Sequence, residues 1–142
     1  LMEIMVKQID RRGRRFGGGF YEYADDGSKK LWPGLADHFP LTEEQPDVEE
    51  VKQRLMFIQL IATAQCFDEG VVSDPQSADL GAIFGWGFAP WTGGPMSHID
   101  TMGVDNFVRI ADNLAQKHGE RFKPPMSFRA KADAGETFYK AA

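Results

Sequence analysis

Cysteine is all but missing from this chain. Cys66 stands alone among 142 residues, so no internal disulfide framework is available and a cysteine-based zinc site lacks its ligands. A lone thiol of this kind is expected as a small buried hydrophobe of a reducing compartment. Equally missing is any apolar run near the ~20 residues of a membrane span, and no signal-peptide pattern opens the chain. These absences point to a cytoplasmic protein, with an organelle matrix as the alternative. The first residue is Leu1 rather than methionine, from which a piece of a longer chain is expected. Cations are in deficit, 16 basic residues against 21 acidic for a net charge of −5. The shortage is greatest over residues 41–70, where two basic residues face seven acidic ones. Such a balance gives no reason to expect nucleic acid as a partner. The local exception is Arg11, Arg12, Arg14 and Arg15, too short a basic segment to alter that expectation.

What is present is ordinary globular material: 42% hydrophobic and 26% charged residues, a composition that can form a packed core. The length suits one domain but hardly two. Residues 1–46 read as an arm. Met2–Ile9 has an apolar side, Arg11–Gly19 is basic and glycine-rich, and Phe20–Tyr23 alternates like a short extended segment. Asp25-Asp26-Gly27-Ser28 has turn chemistry, and Pro33, Gly34, Pro40 and Pro46 prevent a long helix before residue 46.

From Asp47 the pattern becomes helical. Asp47 and Glu50 stand at capping-box spacing, and Val51, Leu55, Ile58, Ala62 and Cys66 recur at helical intervals. Leu60, Ile61 and Phe67 widen that stripe, so an enclosed helix is expected, stopping at Gly70. Its ~22 residues would extend ~33 Å. Asp74-Pro75 begins a second helix through Ala78, Ala82 and Ile83, expected to end near Gly85. A glycine- and aromatic-rich loop to Gly94 follows, then a short helix Pro95–Met102 stopped by Gly103. Val104–His118 is amphipathic and closed by Gly119, and one further helix is expected between Pro125 and Phe138-Tyr139. With no convincing strands after residue 46, the expected fold is all-α: a small helical bundle carrying an irregular N-terminal arm.

No active site emerges from spacing. Gly13 to Gly18 opens like a P-loop, but Gly19 and Phe20 occupy the places of Lys and Ser/Thr. Gly85-Trp86-Gly87 follows a helix instead of a strand, and Pro90 replaces the third glycine of a dinucleotide fingerprint. His98 and Asp100, at i and i+2 on a helix, point to different sides and make no metal pair. His38, His98 and His118 have no evident nucleophile to activate, and Gly-x-Ser-x-Gly is missing. Neither catalytic, metal nor cofactor-binding residues are therefore assigned within this chain.

Two stretches resemble a known family. Gly85-Trp86-Gly87-Phe88-Ala89-Pro90-Trp91-Thr92-Gly93-Gly94-Pro95, followed by Asp100-Thr101-Met102-Gly103, resembles the loop-and-helix signature of the C-terminal domain of 3-hydroxyacyl-CoA dehydrogenases. Arg54-Leu55-Met56-Phe57 through Cys66-Phe67-Asp68-Glu69-Gly70 is similar to that domain's long first helix, and Asp79 stands where the family has an aspartate in its second. Gly13–Tyr23 and Lys30–Leu35 resemble the segment ending the first of two helical repeats in multifunctional fatty-acid oxidation proteins. Gly19-Phe20-Tyr21 near the start is echoed by Phe138-Tyr139 near the end.

The resemblance implies several things. Residues 1–46 would be the end of a preceding helical repeat. Residues 47–142 would be a C-terminal helical domain like that of 6-phosphogluconate dehydrogenase. The parent chain would oxidise 3-hydroxyacyl-CoA to 3-oxoacyl-CoA with NAD in fatty-acid β-oxidation, and would also hydrate enoyl-CoA. NAD and the acyl-CoA substrate would bind the parent, whose NAD-binding domain and first helical repeat would be this chain's partners. No cofactor would be bound by this chain, which alone would be inactive. His38-Phe39-Pro40 mimics the family's catalytic segment but lacks its following residues, and Gln53 stands where the family has an active-site asparagine before Arg54. The resemblance implies packing roles for Arg54, Leu55, Ile58, Ile61, Phe67, Trp86, Phe88 and Trp91, either in the domain's own core or against another repeat. It also allows a homodimer of this chain. The rival reading is a CoA-binding module in which Arg11, Arg12, Arg14 and Arg15 meet phosphates.

Overall fold

The structure, a computed structural model, describes residues 1–139; residues 140–142 of the expected 47–142 domain lie outside the described residues. The chain separates into two units, Leu1–Gln45 and a second beginning at Pro46.

The first unit opens with a π-helical turn, Ile4–Gln8. Gly13 and Gly18 then bridge each other around a 3₁₀ turn, Arg14–Phe16. Strands β1 (Tyr21–Tyr23) and β2 (Lys29–Leu31) pair antiparallel, with Tyr21 opposite Leu31 and Tyr23 opposite Lys29. Their connection is the expected turn, in which the Ser28 amide donates to the Asp26 carboxylate at 2.8 Å. A single helical turn, α1 (Leu35–His38), follows.

The second unit is the helical bundle. Helix α2 spans Val48–Asp68, and the Asp47 carboxylate accepts from the Glu50 amide at 2.9 Å. The capping box is only half formed, because Glu50 does not reach back. Its carboxylate accepts from Lys117 Nζ at 2.8 Å and lies 2.9 Å from His118 Nε2, so it ties the start of α2 to the end of the helix Val104–His118. These contacts, that with Lys117 first, hold the Glu50 carboxyl below its usual range. Asp47→Ala is expected to cost about 1 kcal/mol in a urea melt through the lost cap.

Helix α3 (Pro75–Trp86) is capped by Asp74 and continues past Gly85 to Gly87, whose φ of 78° provides the left-handed stop. The Phe88 amide then donates to the Ala82 carbonyl, the six-residue closure that turns the following side chain back toward the helix. Helices α4 (Pro95–Met102), α5 (Val104–His118) and α6 (Met126–Ala134) complete the bundle. Phe57, Leu60, Ile61 and Ala64 of α2, Phe107 and Leu114 of α5, and Phe128 of α6 form its core. Aromatic rings run through it: Phe57 stacks on Phe107 at 5.6 Å, Phe107 meets Phe128 at 5.9 Å, and Phe128 meets Phe138 at 4.6 Å.

One expectation is corrected. The stripe Val51, Leu55, Ile58, Ala62 and Cys66 is not the core face of α2. Leu55, Ala62 and Cys66 are exposed, and Val51 and Ile58 are half-buried. Helix α2 is apolar on both sides, so its 3.6-residue period runs equally through Phe57, Leu60, Ile61 and Ala64, which point inward. Cys66 consequently sits on the outer face instead of in the core.

Candidate functional site

The arm uses its arginines internally. Arg11 Nε donates to the Gly19 carbonyl at 2.8 Å, and the guanidinium lies 4.2 Å from the centre of a Trp32 ring. Arg12 pairs with Asp10 at 2.7 Å and lies over Phe16, and Arg14 lies over Tyr23. Arg15 is exposed. The P-loop-like glycines give no phosphate cradle, because the Gly13 and Gly18 amides donate to each other's carbonyls at 2.8 and 3.2 Å. His38 stacks on Trp32.

The helical unit brings together a different set. Asp79 is buried, and its carboxylate accepts from the Met96 and Ser97 amides at 2.6 and 3.1 Å, where α4 begins. It also accepts from Ser97 Oγ at 2.6 Å and the Tyr139 hydroxyl at 2.7 Å. One carboxylate thus caps α4, neutralises its positive end and anchors the last described residue. Asp100, at the far end of α4, accepts from the Phe138 and Tyr139 amides at 3.0 and 2.8 Å. Gly94 is required here: its φ is +115°, and a Cβ on it would stand 2.4 Å from Asp79 Cβ. The resemblance marks Asp79, Gly94 and Asp100 separately, and no sequence spacing joins them to one another or to Tyr139. The Phe-Tyr echo was the available signal for the last.

Burial, followed by the hydrogen bond to Asp79, pushes the Tyr139 phenol up to about 12 from 10.0. The folded state therefore holds that proton more tightly than the unfolded chain. The contribution is complete below pH 10 and is lost as pH rises toward 12. The midpoint of thermal unfolding is expected to fall across that window, with a shallower decline in Tyr139→Phe.

The arrangement frames an outward surface. Trp86 is 56% exposed, Phe84 83% and Trp91 86%. Leu80 and Leu55 are exposed too. Trp86 Nε1 donates to Gln59 Oε1 of α2 at 3.3 Å, which ties the last residue of α3 to the outer face of α2. Of the expected packing residues, Ile61 and Phe88 lie in the unit's own core, and Phe67 is half-buried against Phe128 and Phe138. Leu55, Trp86 and Trp91 face outward, while Ile58 and Arg54 border a shallow groove. No Lys or Arg occurs between Arg54 and Arg109, so α3, α4 and the loop joining them carry no cation.

His98 is half-buried and its pKa is lowered by burial. Among the described residues no three of His, Cys, Asp and Glu gather as a metal site, and no helix is long and apolar enough to cross a membrane.

Comparison with known proteins finds relatives of the chain. Over 133 residues, 92% of the chain, it is 37% identical to the fatty acid oxidation complex subunit alpha of Shewanella amazonensis. It is 34% identical over 140 residues, 98% of the chain, to the subunit of the same name from Vibrio cholerae, and 37% identical over 134 residues to that of Shewanella halifaxensis. The chain is homologous to fatty acid oxidation complex alpha subunits. It spans about a fifth of the length of these curated relatives, 19 to 20% in each. No family model matches it. The homology to the alpha subunits takes in both the arm and the helical unit, since it extends over nearly all of the chain.

Proposed function

We propose that this chain is a non-catalytic packing unit of a multifunctional fatty-acid oxidation protein. In this reading the parent oxidises 3-hydroxyacyl-CoA to 3-oxoacyl-CoA with NAD, and this unit completes the helical scaffold beside the reacting domains. The observation that carries the reading is the outward surface of Leu55, Leu80, Phe84, Trp86 and Trp91, large apolar side chains left in solvent by a unit whose own core is filled. Apolar side chains left in solvent in this number support an interaction role. Its partner in the parent is another helical repeat; in the chain alone, a second copy takes that place.

The arm supports an origin as the end of that preceding repeat. Each unit has a helical segment followed by Phe-Tyr. Phe138 is enclosed by Phe67 and Phe128. Its echo Phe20 lines an apolar cleft of about 520 Å³ with Trp32, Leu35 and Phe39. In this reading the cleft is the counterpart of the enclosed Phe138 site.

NAD does not fit the residues present here. The Gly85-x-Gly87 stretch forms the C-terminal end of α3, whose partial negative charge repels a pyrophosphate, and the arm's glycine amides are already paired. Dinucleotide binding and proton abstraction are assigned to other parts of the parent. The chain alone is expected to bind NAD no tighter than millimolar, about −4 kcal/mol, and to show no turnover.

The test follows NADH absorbance with acetoacetyl-CoA, using the chain alone, the remainder of its parent, and the two joined. Joining is expected to raise activity or thermal stability of the remainder. Turnover by the chain alone, or a remainder equally active and stable without it, would overturn the reading.

A further inference from the structure

We propose that a groove on the other flank of α2 binds a small anionic amphiphile: an unbranched aliphatic chain ending in a carboxylate. The groove has a volume of about 300 Å³, at the small end of ligand clefts. Val51, Leu55 and Ile58 of α2 form its apolar wall with Phe122, and Arg54 and Arg121 line it from the two sides. Leu55 also belongs to the outward surface described above, so the groove is tested on this chain by itself.

Charge decides the class of occupant. Among the described residues neither Arg54 nor Arg121 has a carboxylate partner. Arg121 lies over the Phe122 ring at 5.4 Å. The nearby acids are engaged elsewhere: Glu50 holds Lys117 and His118, and Glu120 holds Lys123 at 2.6 Å. The contrast is Arg129, whose two nitrogens meet both oxygens of Asp112 at 2.6 and 2.5 Å. A guanidinium presents donors in a planar fork matched to a carboxylate, and two such forks beside an apolar wall favour an anion with hydrocarbon attached. A bare anion leaves the wall wet, and a neutral chain leaves both cations without a partner. The groove selects the combination.

The test is an amide NMR titration of the whole chain with decanoate, kept below its micelle-forming concentration, beside parallel titrations with acetate and decanol. Decanoate is expected to give saturable shifts at Arg54, Leu55, Ile58, Arg121 and Phe122, weakened by salt. Acetate and decanol are each expected to bind at least ~10-fold more weakly. The double variant Arg54→Gln, Arg121→Gln is expected to lose decanoate affinity by a similar factor while its spectrum stays dispersed. Equal binding of decanol or acetate, shifts mapped elsewhere, no saturable shifts, or undiminished binding by a folded double variant would each overturn the proposal. The three-compound comparison on the unaltered chain decides the matter even if that variant fails to fold.

Discussion

Asp79→Ala is expected to destabilise the helical unit by about 3–5 kcal/mol, the combined cost of several enclosed donors losing one charged acceptor. The carboxylate is 3% exposed and accepts from four donors. Without it the Met96 and Ser97 amides at the start of α4 lose their acceptor, with Met96 itself fully buried. Each buried donor left unpaired costs about 1–3 kcal/mol. The Tyr139 hydroxyl is released at the same time, which leaves the tail held by Asp100 and by the packing of Phe138. Asp79→Asn, which keeps one acceptor oxygen and the side-chain volume, is expected to lose less. Gly94→Ala is expected to act on the same network from the other side, through its positive φ and the clash with Asp79. Urea denaturation measures all three. A loss below about 1 kcal/mol for Asp79→Ala would mean that this cap does not organise α4.

The second large effect separates two aromatic residues two positions apart. Phe88→Ala is expected to cost about 3–5 kcal/mol, as for other buried phenylalanines, because its ring is 2% exposed within the core. Trp86→Ala is expected to cost less than about 1 kcal/mol. More than half of its surface is already in water, and its indole bond to Gln59 at 3.3 Å is exposed. The loop signature contains both residues, yet the turn at Gly87 sends one inward and leaves the other outside. Parallel urea melts of the two variants give the comparison. Similar losses would show that Trp86 belongs to the core.

That pair also shows how far the sequence carries. Helix limits were legible wherever local chemistry sets them. Asp47 and Asp74 accept the amides expected of N-caps, and Gly103 and Gly119 end their helices as expected. The second helix ends at Trp86, close to Gly85 as expected, but the left-handed stop is Gly87, because Gly85 itself remains inside the helix. The orientation of α2 was not legible at all. With Leu55 and Ala62 on one side and Leu60, Ile61 and Ala64 on the other, helical period identifies two stripes and cannot rank them. Only the later elements that pack on α2, which bring Ala78, Met96, Ile99 and Phe107 into the same core as Leu60, decide which side is inside. The Asp79–Tyr139 bond likewise joins positions 60 apart. It depends on the path of the tail, which no local spacing contains.

The central claim is that the outer sides of α2 and α3 are covered by another helical unit in the parent protein. Covalent labelling of side chains reads this directly. Cys66 can be alkylated, while Phe84, Trp86 and Trp91 can be oxidised by hydroxyl radicals, first in the dilute chain and then in the joined parent. Cys66 is exposed, as are the three rings, so all four should react readily in the dilute chain. In the parent, labelling is expected to fall by roughly 10-fold or more at Cys66, Phe84 and Trp86, as for groups moved from solvent into a packed interface. Arg121, on the other flank of α2, should retain its reactivity toward a dicarbonyl reagent. Undiminished labelling of Cys66, Phe84 and Trp86 in a folded, active parent would contradict the account.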